Sequence, residues 1–99
     1  MGARPLKIRI LEIFNDGQPH WNYEIIRTVF KEYGMSGNYN SSLINFDLVE
    51  LASGGMLTDV EQMMDTGGVY RRGFLLHKYV ITGLGKEKAA NACTFGGNK

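Results

Sequence analysis

Apolar side chains recur at helical spacing through the first half of this chain and give way to alternation in the second. Leu6, Ile10 and Phe14 fall at i, i+4 and i+8 with Leu11 beside them, while Lys7, Arg9 and Glu12 take the other side. Pro5 suits the first turn of a helix, where its missing N–H costs nothing, and Asn15-Asp16-Gly17 supplies a stop. Ile8 and Ile13 lie off this stripe, which predicts a wider core or a second apolar surface open to another subunit. Gln18 to Trp21 is too short for a helix and is read as an extended link with a strand of one or two residues at most. Asn22 is then a good N-cap, Glu24 suits the positive end of the helix, and Ile25, Ile26, Val29, Phe30 and Tyr33 recur at helical spacing until Gly34.

The turn Gly34-Met35-Ser36-Gly37-Asn38 leads to a third helix that starts near Tyr39 to Ser41, with Asn38 or Asn40 as its cap. Ile44, Leu48 and Leu51 form its core stripe, and the opposite side carries Asn38, Ser42, Asn45, Phe46 and Val49. After Gly54-Gly55, Met56 to Glu61 takes on strand-like alternation, and Met63-Met64 leads into the turn signal Asp65-Thr66-Gly67-Gly68. A second strand is expected from about Phe74 to Ile81, with Leu75, Tyr79 and Ile81 on one face and Leu76, Lys78 and Val80 on the other. Thr82 caps a short last helix, Gly83 to about Ala92. The fold class is α+β, mainly α: a three-helix core, a two-stranded hairpin and a short C-terminal helix. Residues 1–93 form one domain, and residues 94–99 a flexible tail.

Length supports the same picture, because 99 residues build a single core but no second domain and no roomy catalytic cleft. No apolar run approaches the ~20 residues of a membrane span, and the N-terminus lacks a signal-peptide pattern, so a cytoplasmic protein is expected. One cysteine, Cys93, excludes an internal disulfide framework and a thiolate-rich zinc site, and reads as an incidental thiol. The net charge of +1 decides little, since nucleic-acid binding depends on where the charge lies.

Two local patterns carry a family resemblance. Leu48-x-x-Leu51-x-x-x-Gly55-Met56-Leu57 is similar to the end of the recognition helix and the start of the wing in MarR-like and PadR-like transcriptional regulators. Tyr79-Val80-Ile81-Thr82-Gly83-Leu84-Gly85-Lys86-Glu87-Lys88-Ala89 resembles the segment that closes the wing in the same families. The resemblance covers about Leu6 to Ala92 and implies a winged helix-turn-helix that binds double-stranded DNA, with the third helix in the major groove. Two departures stand out. The expected recognition helix has no Arg or Lys and carries Asp47 and Glu50, and the residues after Ala92 are not expected to form the long dimerisation helix of PadR-like proteins.

On this reading the DNA-contacting residues are Tyr39, Asn40, Ser41, Ser42 and Asn45 on the third helix, Arg71 and Arg72 in the wing, and Lys78 on its second strand. Asn makes paired hydrogen bonds to the adenine edge, and Ser reaches bases or phosphates, so an uncharged surface can still read sequence. The structural alternative is that these are cap and turn residues on a solvated face. Arg71 and Arg72 on a Gly-rich loop suit a minor groove or phosphates; their alternative is pairing with Asp65, Asp59 or Glu61. For Arg27, Lys31, Lys7 and Arg4, plain surface charge is the expected role.

His20 and His77 are the only histidines and no nucleophile, phosphate-loop or metal-ligand motif occurs, so neither catalysis, a cofactor nor a metal is expected. A homodimer is expected, built from the first helix and the C-terminal segment, so that two recognition helices meet successive major grooves. A protein-interaction module without DNA contact is the alternative, suggested by Asp47, Glu50, Phe46 and Val49. The sequence identifies no effector.

Overall fold

Pro5 opens α1 (Leu6–Phe14), its carbonyl accepting from the Arg9 N–H at 3.0 Å, and the helix buries Ile10, Leu11 and Phe14. The computed structural model describes residues 5–97, with side chains described through Asn91. Trp21 of β1 (His20–Trp21) pairs with Lys78 and is held extended, so it takes the position before α2 (Asn22–Tyr33). Glu24 fastens that first turn by accepting from the Trp21 N–H at 3.1 Å. Asn22 therefore does not cap the helix. It is the first helical residue, buried, with its amide donating to Asn45 and its carbonyl oxygen accepting from the His77 N–H.

Gly34 ends α2 in the left-handed conformation at φ +66°, and Gly37 at φ +92° turns the chain directly into α3 (Asn38–Ser53). Such φ values suit glycine and strain any other residue. The helix thus starts a residue earlier than expected, and neither asparagine caps it: Asn38 accepts from Arg71, and Asn40 donates to the Ser36 carbonyl at 2.9 Å. The predicted stripe of Ile44, Leu48 and Leu51 is buried.

β2 (Leu57–Met64) and β3 (Leu75–Ile81) pair antiparallel from Leu57↔Ile81 to Met64↔Leu75, with an irregularity between Asp59 and Glu61. The short strand expected within Gln18 to Trp21 is β1, and because it pairs along the other edge of β3 the expected two-stranded hairpin becomes a three-stranded sheet in the order β1-β3-β2. β2 runs on through Met63 and Met64, past the Met56 to Glu61 alternation, to the turn at Asp65. Leu57, Tyr79 and Ile81 join the helical core, but Leu75 is exposed and Leu76 is enclosed, against the predicted alternation. The inward face of β3 changes phase between Leu76 and Tyr79, where the β2 partner register is broken between Asp59 and Glu61, so one alternation does not run the length of the strand. Of the two residues off the α1 stripe, Ile13 packs against the domain's own core.

Thr82 caps α4 (Gly83–Gly97) as expected, its hydroxyl accepting from the Gly85 N–H at 3.0 Å. The same hydroxyl donates to the Gly55 carbonyl at 2.7 Å, and the Thr82 N–H reaches Met56 O, so the start of α4 is tied to the α3–β2 turn. The helix continues to Gly97 rather than stopping near Ala92. Arg4, Asn98 and Lys99 and the side chain of Cys93 lie outside the described residues. The result is a small α+β domain of four helices and one antiparallel sheet among the described residues, with no helix long and apolar enough to cross a membrane.

A Cβ on Gly85 would overlap the Met56 carbonyl oxygen and lie 2.7 Å from Ile81 Cγ1. Gly85→Ala is expected to destabilise the domain by about 1–3 kcal/mol, lowering its thermal midpoint by roughly 5–20 °C. Gly83→Ala meets nothing within 4 Å and should leave the midpoint nearly unchanged in the same melting experiment.

Candidate nucleic-acid interface

The loop between β2 and β3 is built around one carboxylate. Asp65, only 2% exposed, accepts from the backbone N–H groups of Val69 at 2.8 Å, Tyr70 at 2.8 Å and Arg71 at 2.7 Å. Its own backbone closes the arch, with the Asp65 N–H donating to Phe74 O and the Gly73 N–H donating to Asp65 O, both at 2.8 Å. Gly68 and Gly73, at φ +73° and +86°, allow the two bends this arch needs. The loop is therefore a closed arch rather than the pliable glycine-rich loop expected. Burial opposes ionisation of Asp65, but hydrogen bonds from Tyr70, Val69, Arg71 and Gly68 outweigh it and hold its pKa below the usual carboxylate range. The carboxylate is spent on the backbone, so it does not pair with either arginine side chain.

The arch lies against α2 and α3. Tyr70 packs on the core and bonds through its hydroxyl to Ser41, while Asn45 donates to the same oxygen at 3.4 Å. Arg27 of α2 donates from Nη2 to Val69 O at 2.8 Å, and Arg71 donates from Nη2 to Asn38 Oδ1 at 2.7 Å. The Arg71 guanidinium also lies 4.6 Å from the centre of the Phe74 ring. Arg72 is exposed and reaches Thr66 O at 3.3 Å.

Several of the expected DNA contacts are redirected by this packing. Ser41 is buried at 4% exposure, and Asn45 is half-buried with its amide committed to Asn22 and Tyr70, so both face the arch instead of an open groove. Asn40 is half-buried and holds the helix start. Lys78, on the central strand between its neighbours Trp21 and Glu61, is tied to Glu61 at 2.9 Å and lies 5.1 Å from the centre of the Trp21 ring. Tyr39 and Ser42 remain exposed on α3. Arg27, expected as plain surface charge, joins the arch; no local pattern signals this, because its partner is 42 residues away.

Charge is segregated. Lys7 pairs with Glu50, Arg9 with Glu32 and Glu12, and Lys78 with Glu61, whereas Arg27, Arg71 and Arg72 bond to neutral oxygens, with no carboxylate partner among the described residues. Asp47 lies nine residues beyond Asn38, about half a turn around α3 at ~100° per residue, on the side of Lys7. Burial raises its pKa, and Lys7 partly offsets that. The acidic residues of α3 therefore face α1, away from the arginines.

Between these two flanks, α3 shows solvent a strip of Tyr39, Ser42, Leu43, Phe46 and Val49. Phe46 is 59% exposed and Val49 51%, so the interior face does not extend to them.

The histidines are paired elsewhere. His20 lies 2.9 Å from Asp16 and edge-on to Phe14, and His77 Nδ1 lies 2.7 Å from Asp59 with its ring stacked on Tyr79. Burial, with Asp59 adding to it, pushes the Tyr79 hydroxyl up to about 12. Among the described residues no group of three or more His, Cys, Asp or Glu is placed to hold a metal. No family model, curated protein or solved structure matches the chain.

Since the folded pKa of Asp65 is depressed, its ionisation contributes stability that is present above its unfolded value, near ~3.9, and lost as pH falls through the folded value. Asp65→Asn should be less stable than the parent at neutral pH, and the gap between their denaturant midpoints should close as pH falls below about 4. A gap that is constant with pH would contradict this role for the charge.

Proposed function

We propose that the domain is a winged helix that binds double-stranded DNA and acts as a transcriptional regulator without chemistry of its own. In this reading α2 braces α3, α3 enters the major groove, and the Asp65 arch is the wing. The observation that carries it is the set of three guanidinium groups, Arg27, Arg71 and Arg72, without a carboxylate partner among the described residues beside the start of α3. Guanidinium keeps its charge and offers several donors to phosphate oxygens. The first turn of α3 has no side-chain cap, so its backbone N–H groups and the positive end of the helix face the same region.

The division of labour follows from burial. Tyr39 and Ser42 reach DNA, whereas Ser41 and Asn45 position the arch through Tyr70. A homodimer would set two copies of α3 about one turn of the duplex apart and offset the small positive charge of one copy. The second reading, a protein-interaction module, is favoured by the exposed apolar side chains of α3. Retention of a stoichiometric protein partner, together with no affinity for DNA, would select it.

Fluorescence anisotropy with duplex DNA between about 50 and about 200 mM salt tests the proposal. The parent should bind with a steep negative dependence of log K on log salt. Arg71→Ala with Arg72→Ala should reduce that slope by about 2, one for each phosphate that is no longer neutralised. Lys78→Ala should leave the slope unchanged. Absence of salt-sensitive binding by the parent at the lowest salt would overturn the proposal.

A further inference from the structure

The exposed strip of α3 is unusual in its chemistry. Taking Tyr39 as zero and ~100° per residue, Phe46 falls near −20°, Leu43 near +40°, Ser42 near −60° and Val49 near −80°, an arc of about 120° with Phe46 close to its centre. Tyr39, Leu43, Phe46 and Val49 are 76%, 40%, 59% and 51% exposed. Asparagine, the expected base reader, is withdrawn from this arc: Asn45 is committed to Asn22 and Tyr70, and Asn38 to Arg71. Glu50 falls at about +20° in the same arc but is paired with Lys7, and Ser53, at about −40°, lies a turn beyond Val49. Ser42 and the Tyr39 hydroxyl are therefore the uncharged polar groups between Tyr39 and Val49 left to face bases.

An apolar arc with unneutralised guanidinium groups along one flank, and the Lys7–Glu50 pair along the other, matches one feature of the DNA major groove. Thymine presents a C5-methyl group there, the one apolar group on the edges of the standard bases, with phosphates on either side. Along α3, Tyr39 to Val49 spans about 15 Å, or four to five base-pair steps of ~3.4 Å. Arg71, held at Asn38 beside this arc, places positive charge where a backbone would pass.

Resting on the DNA-binding reading above, we infer that α3 recognises thymine methyl groups through Leu43, Phe46 and Val49, so that the preferred ligand is a thymine-rich duplex read by apolar contact. Hydrogen bonding to base edges contributes less to the preference. The specificity lies in the apolar strip, and the grip lies in the arch.

The test uses four duplexes of equal length at one salt concentration: alternating adenine–thymine, the same with uracil in place of thymine, alternating guanine–cytosine, and the same with 5-methylcytosine. Each methylated duplex should bind more tightly than its unmethylated counterpart by at least about fourfold, the value of one buried methyl group. Phe46→Ala should remove most of that difference, weakening the methylated duplexes more than the unmethylated ones; circular dichroism checks that this exposed substitution leaves the fold intact. Salt-sensitive binding that is equal for methylated and unmethylated duplexes would overturn the inference and leave the DNA-binding proposal standing. A methyl preference that persists in Phe46→Ala would also overturn it. Failure of all four duplexes to bind at low salt would overturn both. If sedimentation shows a dimer that Phe46→Ala dissociates, with no methyl preference in the parent, a second copy covers the strip and the inference fails.

Discussion

The Asp65 carboxylate accepts three backbone N–H groups, those of residues 69 to 71, from inside a loop that would otherwise bury them unsatisfied or leave them to water. One side chain thereby shapes the whole connection between β2 and β3. With the arch formed, Tyr70 points to α3, Val69 presents its carbonyl to Arg27, and Arg71 reaches Asn38. Without it, the glycines at 67, 68 and 73 would leave the loop many conformations, at a cost in entropy whenever a ligand required one of them.

Beneath the arch runs a chain of uncharged polar groups: Ser41 and Asn45 on α3, the Tyr70 hydroxyl, Asn22 on α2 and the backbone of β3 at His77. Each member of such a network needs its partners, because an unsatisfied buried polar group costs about 1–3 kcal/mol. That requirement specifies one relative placement of the two helices, the sheet and the loop. Apolar packing of Ile44, Leu48 and Leu51 holds the same elements together but tolerates small shifts.

The two flanks of α3 differ in charge for a simple geometric reason. Residues separated by nine positions point in opposite directions from a helix, so Asn38 meets the arch while Asp47 turns toward Lys7 of α1. The absence of Lys and Arg from α3 therefore does not leave its surroundings neutral. Positive charge comes to one flank from α2 and from the arch, and the negative residues are held on the other.

Much of the fold was legible in the chain. Helical spacing located α1, α2 and the buried stripe of α3, Gly34 marked the end of α2, and Thr82 marked the start of α4, because these signals act within one or two turns. The sequence also identified Arg71 and Arg72 as charges in a hairpin loop, and Phe46 and Val49 as lying off the core stripe. It did not identify which polar residues face outward. Asn22, Ser41 and Asn45 have the composition of caps and surface groups, and only partners 23 to 55 residues away draw them inward. Arg27 and Asp65 were equally opaque, since a carboxylate that binds backbone and one that binds arginine look the same in a sequence. Local periodicity is a property of the chain itself, so the sequence alone determined the elements and their apolar faces. The arch, the inward polar chain and the apolar strip left on α3 depend on contacts between distant segments, and tertiary structure alone decided them.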